Sequence, residues 1–471
     1  MLSYEFVNIA DRRLINSSLG LFFLGDCRND TISTHAIFLS GVHFMHFFQK
    51  PVRSIFSLVA LLLSVSACVS KAPISPVKTV FETNDAIKGT TSSPALCAQG
   101  KDAVWADVKD GGECIRFYPG GLKKNSDTAI IYFTGDLSHN SIWNVYEKTT
   151  PASFMRNSNQ WSNVLDVPYI LMARPGTFGS SGYHYDRRRE GKEGRLLNAA
   201  VDAVKEKYGL KKIVVVGQSG GGHVVAQILT LRNDISCAVM ASALLSFRDQ
   251  LNAKYLDYAD LEIYLSQQWD PIDHVADIPK SSGRRIFIIA DPKDEIVYFD
   301  TQQKYVAQAD KLGVKTNLVV THASGGQHHD LSKPARYIAA LCAKAKSTKS
   351  IVKYVNRLSD VVHNTMREKI GNAVVTGNDQ AIEYAKGVLA YNAREKFEMY
   401  LQKVPQSSIA VFAYSEGSSS GHSYGWALRN FEDDAVESAL YNCESIREQR
   451  RVKNSAPCRV FAIEDKVVWK K

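Results

Sequence analysis

The chain lacks several features that would assign a function quickly. No long Lys/Arg run interleaved with aromatics occurs, so the formal net charge of +9 is spread over many segments. That spread points to tolerance of anionic surfaces and excludes a nucleic-acid groove. The eight cysteines show no close Cys/His spacing of the zinc-site kind, so no metal is expected. No Gly-x-Gly-x-x-Gly with a downstream acidic partner for a ribose occurs, which argues against a dinucleotide fold, and no cofactor is implied. What remains is an ordinary globular composition, 45% hydrophobic and 22% charged, on 471 residues. That length accommodates about three domains.

Residues 45–67 read as a signal peptide. Lys50 and Arg53 give a positive start, and Ile55 to Val65 is an apolar stretch too short to span a bilayer comfortably. It ends in Val65-Ser66-Ala67-Cys68, which resembles the lipobox of bacterial lipoproteins. The resemblance implies that the Cys68 thiol is lipidated and becomes the new N-terminus, with an ordinary secretory signal as the alternative. Val69 follows, not Asp, which in that class points to the outer membrane. A signal normally opens a chain, so Met45 is the expected start and 1–44 a spurious or extra extension. Residues 68–96, with Pro73, Pro76 and a Gly/Thr/Ser stretch up to Pro94, read as a flexible tether. Export makes disulfides legitimate. Cys97 and Cys114 flank a short segment, and Cys443 and Cys458 are spaced for a second bridge. Cys237 and Cys342 lie inside apolar runs and read as buried thiols.

The stretch that organises the chain is Val214-Val215-Val216-Gly217-Gln218-Ser219-Gly220-Gly221-Gly222-His223. A β-branched run drives into Gly-x-Ser-x-Gly and a helix-like run follows. Strand, sharp turn and helix form the context of a nucleophile elbow, with Ser219 on the turn. Strands are expected at 129–133, 169–173, 213–216, 237–241, 285–290 and 316–321, with helices between them at 196–208, 223–231, 299–312 and 335–344. This alternation predicts an α/β domain with a mostly parallel sheet over about residues 97–348.

Four motifs make this domain resemble the α/β-hydrolase superfamily, whose sheet is doubly wound. The first is the elbow. The second, Phe133-Thr134-Gly135-Asp136-Leu137, resembles the family's His-Gly turn, with Thr134 where His is common. It implies an oxyanion hole built from backbone N–H groups at Asp136 or Leu137 together with that of Gly220. The third, Ala173-Arg174-Pro175-Gly176-Thr177-Phe178-Gly179-Ser180-Ser181-Gly182, resembles the family's Asp-Arg-Pro-Gly-x-Gly-x-Ser loop, with Ala173 in place of the Asp, and implies a rigid turn walling one side of the site. The run Arg187-Arg188-Arg189 downstream reads as a solvated face, a role with anionic substrates being the alternative. The fourth is the pair of strand-end loops Ala290-Asp291-Pro292-Lys293-Asp294-Glu295-Ile296-Val297 and Ser324-Gly325-Gly326-Gln327-His328-His329-Asp330-Leu331. They resemble the family's acid and base loops. They imply Asp294 as the acid, in preference to Asp291 and Glu295, and His328 as the base with His329 as its close rival. The order Ser, Asp, His is the one this fold uses.

Between Ser242 and Pro279 an insertion with Tyr255, Tyr258, Tyr264 and Trp269 reads as a partial cap or as a pair of surface helices. A helical connector is expected over 349–405 and a small α+β domain over 406–471, with strands at 408–414 and 458–463, a loop at 417–425 and a helix at 433–443. No chemistry is assigned to it, and His422 reads as a loop residue. The expectation is a lipid-anchored serine hydrolase of the cell envelope. Its substrate would be a small-molecule or peptide ester, thioester or amide, its membrane contact the N-terminal lipid, and nucleic acid is not expected. An oligopeptidase-like enzyme and a non-catalytic binding protein on the same fold are the competing readings.

Overall fold

A computed structural model describes residues 78–470 apart from 124–125, 138, 255–264, 324–326, 368–371, 403, 405–408, 417–422, 430–431 and 450–454. The leader and Cys68 lie outside the described residues. Eight strands among the described residues form the first sheet: β1 (Ala103–Ala106), β2 (Glu113–Gly120), β3 (Thr128–Phe133), β4 (Tyr169–Met172), β5 (Lys212–Gln218), β6 (Ile235–Ala241), β7 (Arg285–Ala290) and β8 (Asn317–Val320). Their order is β1-β2-β4-β3-β5-β6-β7-β8. β2 runs antiparallel to both β1 and β4, while β4, β3, β5, β6, β7 and β8 are parallel. This is the doubly wound, mostly parallel sheet that the α/β-hydrolase resemblance implies.

The central strands are apolar throughout because both faces are covered. Alternate residues feed two cores. Val214, Val216, Phe287 and Ile289 join one, while Ile213, Val215, Ile286 and Ile288 join the other. The helices Gly191–Tyr208, Gly220–Leu231 and Phe299–Lys311 bury their apolar stripes on the second face. Helices Pro151–Leu165, Ser332–Ala343 and Thr348–Arg367 contribute to the first.

Residues 78–96 correct the outer part of the expected tether. They carry a helix, Thr83–Lys88, and Phe81 packs its ring 5.5 Å from those of Phe154 and Phe178 and 6.2 Å from that of Tyr118. An aromatic anchor of this size outweighs the flexibility that the nearby Gly, Thr and Ser residues would otherwise give.

A second sheet contains β9 (Val375–Thr376), β10 (Ile409–Ser415), β11 (Ser423–Arg429), β12 (Arg459–Ile463) and β13 (Lys466–Val467), in the order β11-β10-β12-β13-β9. β9 falls within the stretch expected to be only helical, and β11 begins where a loop is expected. Phe412 and Tyr414 enter a core of their own with Phe397, Tyr400, Phe461 and Trp469. Val411 and Ala413 enter the core shared with the first sheet. The helix Glu432–Gln449 lies on that side, and Ala435, Ala439 and Leu440 meet the same core.

Three disulfides are present among the described residues: Cys97–Cys114, Cys237–Cys342 and Cys443–Cys458. The first and third agree with the sequence reading. The second corrects it: β6 and helix Ser332–Ala343 stand far apart in the chain, but the fold packs the helix against the sheet and brings the two thiols together.

Candidate active site

The site begins with backbone strain. Ser219 sits at φ 56° and ψ −123°, between the end of β5 and the first residue of helix Gly220–Leu231. A non-glycine residue holds such a conformation only when its surroundings over-determine it. Here the Ser219 N–H donates to Ala241 O at 2.8 Å, and its carbonyl accepts from Gly222 and His223. The flanking glycines permit the turn. A Cβ on Gly217 would collide with the Gly221 carbonyl, and one on Gly221 would collide with that of Phe133. Only bare backbones approach this closely, which is the physical content of Gly-x-Ser-x-Gly here.

β5, β7 and β8 are members of one parallel array, so the loops that follow them emerge at the same sheet edge. The loop after β7 carries Asp294. Its Oδ1 accepts from the N–H groups of Ile296 and Val297, each at 2.9 Å, which fixes the carboxylate on its own turn. The carboxylate is fully buried, and His329 Nδ1 lies 3.0 Å from Oδ1 and 2.9 Å from Oδ2.

The histidine that meets Asp294 is thus His329 and not His328. His328, the residue implied by the motif, places Nδ1 3.5 Å from Asp291 Oδ2 and leaves its side chain 40% exposed. Asp291 is engaged elsewhere: its two oxygens accept from Lys293 N at 2.9 Å and Ala323 N at 2.8 Å, tying the two loops together. The reason for the one-residue difference is local. His328 takes φ 52°, in the left-handed region, and the turn sends consecutive imidazoles to different carboxylates. Gln327, standing where a glycine is usual, offers its backbone carbonyl to Glu295 N at 3.0 Å and so pins the turn to the acid loop.

On the opposite side of Ser219, the turn after β3 passes close over the elbow. A Cβ on Gly135 would lie 3.4 Å from Ser219 Cβ and 4.0 Å from its Oγ. Of the backbone donors implied there, Leu137 is withdrawn, because its N–H donates to His184 Nε2 at 3.3 Å. Gly220 opens a helix, and the first N–H groups of a helix have no intrahelical acceptor. The bare Cα of Gly220 also makes room for Asp136, whose Oδ1 a Cβ there would displace.

The Asp136 carboxylate is the centre of a buried charge cluster. Arg174 Nη1 donates to Asp136 Oδ1 at 2.7 Å, and its Nε and Nη2 bind Glu193 at 2.8 and 3.0 Å. Arg189 binds Asp136 Oδ2, and Arg188 donates to Leu137 O at 3.0 Å. Burial alone would raise the Asp136 carboxyl, but Arg189, Arg174 and Arg188 hold it well below the usual carboxylate range. His184 is lowered too, well below the ordinary histidine value, by burial first and Arg174 next, which leaves its imidazole neutral. With His184 neutral, the guanidinium groups of Arg174, Arg188 and Arg189 gather around the Asp136 turn, with Glu193 as the second carboxylate of the cluster. The Arg187-Arg188-Arg189 run is therefore only in part a solvated face. Arg187 is 69% exposed, whereas Arg189 is 4% exposed and pairs with Asp136 on the turn after β3.

Two glutamines that the sequence does not single out hold the loops. Gln218 Nε2 donates to His329 O at 2.7 Å while its Oε1 accepts from Leu331 N at 3.1 Å. Gln250, on helix Phe247–Lys254 of the insertion, donates to Ile296 O at 3.0 Å and accepts from Tyr298 N at 2.9 Å. Tyr255, Tyr258 and Tyr264 of the expected cap lie outside the described residues. Trp269 stacks on His274 at 4.3 Å and packs edge-on against His223. No group of His, Cys, Asp and Glu suited to a metal ion occurs among the described residues.

No family model and no curated protein matches the sequence. Among solved structures, the chain is similar to an esterase of Pyrococcus furiosus, at 19% identity over 60% of this chain and 99% of that one, with a TM-score of 0.36. It is similar to an acylaminoacyl peptidase of Pyrococcus horikoshii at 12% identity, over 46% of this chain and 36% of that one, with a TM-score of 0.33. A third likeness is to Est1E of Butyrivibrio proteoclasticus with ferulic acid bound, at 17% identity over 52% of this chain and all of that one, with a TM-score of 0.37.

Proposed function

We propose that this chain is a serine hydrolase that cleaves a carboxylic ester, thioester or amide through an acyl-enzyme, with Ser219 as nucleophile, His329 as base and Asp294 as the acid that orients the base. The observation that carries the reading is the Asp294–His329 pair on the same sheet edge as the strained Ser219 turn. Asp294 accepts the Nδ1 proton of His329, which leaves Nε2 unprotonated and able to take a proton. As Ser219 Oγ attacks the acyl carbon, its proton passes to Nε2. The carbonyl oxygen gains negative charge and is held by the N–H groups of Gly220 and Asp136, in the field of the arginine-rich cluster behind them. The intermediate collapses, Nε2 returns the proton to the leaving oxygen, sulfur or nitrogen, and the acyl group remains on Ser219. Water, deprotonated by His329, then releases the acid. One oxyanion donor is worth about 10²–10³ in rate. An ester is the default substrate class, because an alkoxide or thiolate leaves more readily than an amine.

A fluorophosphonate probe tests the reading. It should label the full chain at Ser219 and abolish ester turnover, and Ser219→Ala should neither label nor turn over at more than a residual rate, a loss of about 10⁴–10⁶ in kcat. Turnover by Ser219→Ala at the wild-type rate would end the hydrolase proposal. A panel of acyl esters of rising chain length beside peptide amides separates an esterase from a peptidase.

The same proposal includes a location. Cys68, at the end of the apolar leader, carries the lipid and holds the enzyme at the cell envelope, in the outer membrane. Three disulfides among the described residues support an oxidising compartment. Expressed from Met45, the protein should fractionate with membranes, and Cys68→Ser should release it or leave an unprocessed precursor; a processed, membrane-bound Cys68→Ser protein would contradict the anchor.

A further inference from the structure

We infer that Gln218 is a positioning residue for the reaction: its side-chain amide staples the backbone of the base loop to the strand that carries the nucleophile. The inference rests on the hydrolase reading above and goes beyond it by naming what holds His329 in register with Ser219.

Gln218 is the last residue of β5 and directly precedes Ser219. Its backbone is fixed in mid-sheet, opposite Ala241 of β6. The residue is 8% exposed, and both ends of the amide are used on one short segment. Nε2 donates to His329 O at 2.7 Å and Oε1 accepts from Leu331 N at 3.1 Å. The carbonyl of one residue and the N–H two positions later are the pair that a neighbouring strand would satisfy. The glutamine side chain supplies that pairing to the base loop. The base loop is then clamped at both sides of the histidine. Gln327 O is bound by the Glu295 N–H of the acid loop, and His329 O with Leu331 N is bound by Gln218. The first clamp sets His329 against Asp294; the second sets it against Ser219.

The chemistry of the amide is specific. A hydroxyl is too short to span both groups, a hydrocarbon leaves two backbone groups without partners, and a carboxylate accepts from Leu331 but repels the His329 carbonyl. Since proton transfer from Ser219 Oγ depends on the imidazole position, loosening this clamp should slow chemistry while leaving substrate contacts alone. A misplacement of about 1 Å can cost about 10²-fold in rate.

The test uses the full chain, a soluble p-nitrophenyl ester and two variants. Gln218→Met keeps the size and removes both bonds; Gln218→Glu is isosteric and keeps only the acceptor. The expected result is a kcat about 10²-fold lower in Gln218→Met, an intermediate loss in Gln218→Glu, and KM within about twofold of wild type in both. The rate of fluorophosphonate labelling should fall in parallel with kcat. Proton NMR gives a readout that a packing defect elsewhere would not move. The low-field Nδ1–H resonance of His329, sharp in wild type and in Ser219→Ala, should broaden or vanish in Gln218→Met. If Gln218→Met does not fold, Gln218→Glu carries the same comparison. Wild-type kcat with an unchanged resonance overturns the inference, as does a rise in KM at constant kcat, which would make Gln218 a substrate contact. These outcomes leave the hydrolase reading intact, because that reading fails only if wild type resists the probe or Ser219→Ala stays active.

Discussion

His223 lies one helical turn beyond Ser219 and is wholly buried, with Nδ1 3.1 Å from Leu244 O. Burial, followed by the nearby Arg189, lowers it to about 3 from the ordinary 6.5. His184, which accepts from the Leu137 N–H, is lowered for the same leading reason. The sign is direct. The unfolded chain takes up these protons near pH 6.5 and the folded chain does not, so stability is lost as pH falls from there towards 3. The slope approaches about 1.4 kcal/mol per pH unit for each histidine. Asp136, held low by its arginines, adds a loss in the same direction only below the ordinary carboxylate value of 3.8. Between about pH 6 and 4 the histidines should therefore dominate among these three. Denaturant unfolding across that range should show His223→Gln, which keeps a donor for Leu244 O, with a slope shallower by about one proton. An unchanged slope would mean that His223 does not stay neutral in the folded protein. Residue by residue, the sequence is most legible where backbone geometry dictates the residue type. The glycines flanking Ser219 and the carboxylate on the turn just past β7 are of that kind. It is least legible where a side chain's partner lies far along the chain: nothing near Arg189 in sequence indicates that Asp136 will receive it. Which of His328 and His329 meets Asp294 depends on a single positive φ, which two adjacent histidines do not encode.

Elements that bury both faces announce themselves by continuous apolar runs, and β3 to β8 are all expected from the sequence. β1 and β2 are not. Ala103–Ala106 is short, and Glu113–Gly120 mixes Glu, Arg and Pro with its apolar residues, because it lies near the sheet edge and donates backbone bonds to the hydroxyls of Ser180 and Ser181. β11 is hidden by the glycine and serine residues around its start. Helix Ser332–Ala343 is the element on which the site depends most after β5, since it begins three residues after His329. Its far end is joined through Cys342 to Cys237 on β6, closing a span of 105 residues, whereas Cys443–Cys458 closes 15. The chain-entropy account gives about 5 kcal/mol for the longer loop and about 3 kcal/mol for the shorter. Non-reducing peptide mapping should recover both pairs. The double variant Cys237→Ala/Cys342→Ala should lose more stability than Cys443→Ala/Cys458→Ala. Free thiols at 237 and 342 in exported protein would contradict the bond.

At the scale of the molecule, one apolar core joins the two sheets. Val411, Ala413 and Ala439 of the C-terminal part share it with Val214, Val216 and Tyr337 of the α/β part. The C-terminal region therefore braces the helix that follows the base loop, and no chemistry needs to be assigned to it to explain its burial. The sequence marks this region as a separate small domain because its strands and helix are locally self-consistent; which face they bury, and against what, is a property of the assembled fold. The central claim is narrower than the whole molecule: Ser219 is activated by His329, not by the adjacent His328. The most direct measurement compares His329→Ala with His328→Ala in full-length protein, by ester turnover and by fluorophosphonate labelling. His329→Ala should lose about 10⁴–10⁶ in kcat, with no further loss when combined with Ser219→Ala, because the two act as a unit. His328→Ala should stay within about tenfold of wild type, a cost of about 1.4 kcal/mol or less in the barrier. An inactive His328→Ala beside an active His329→Ala would contradict the account.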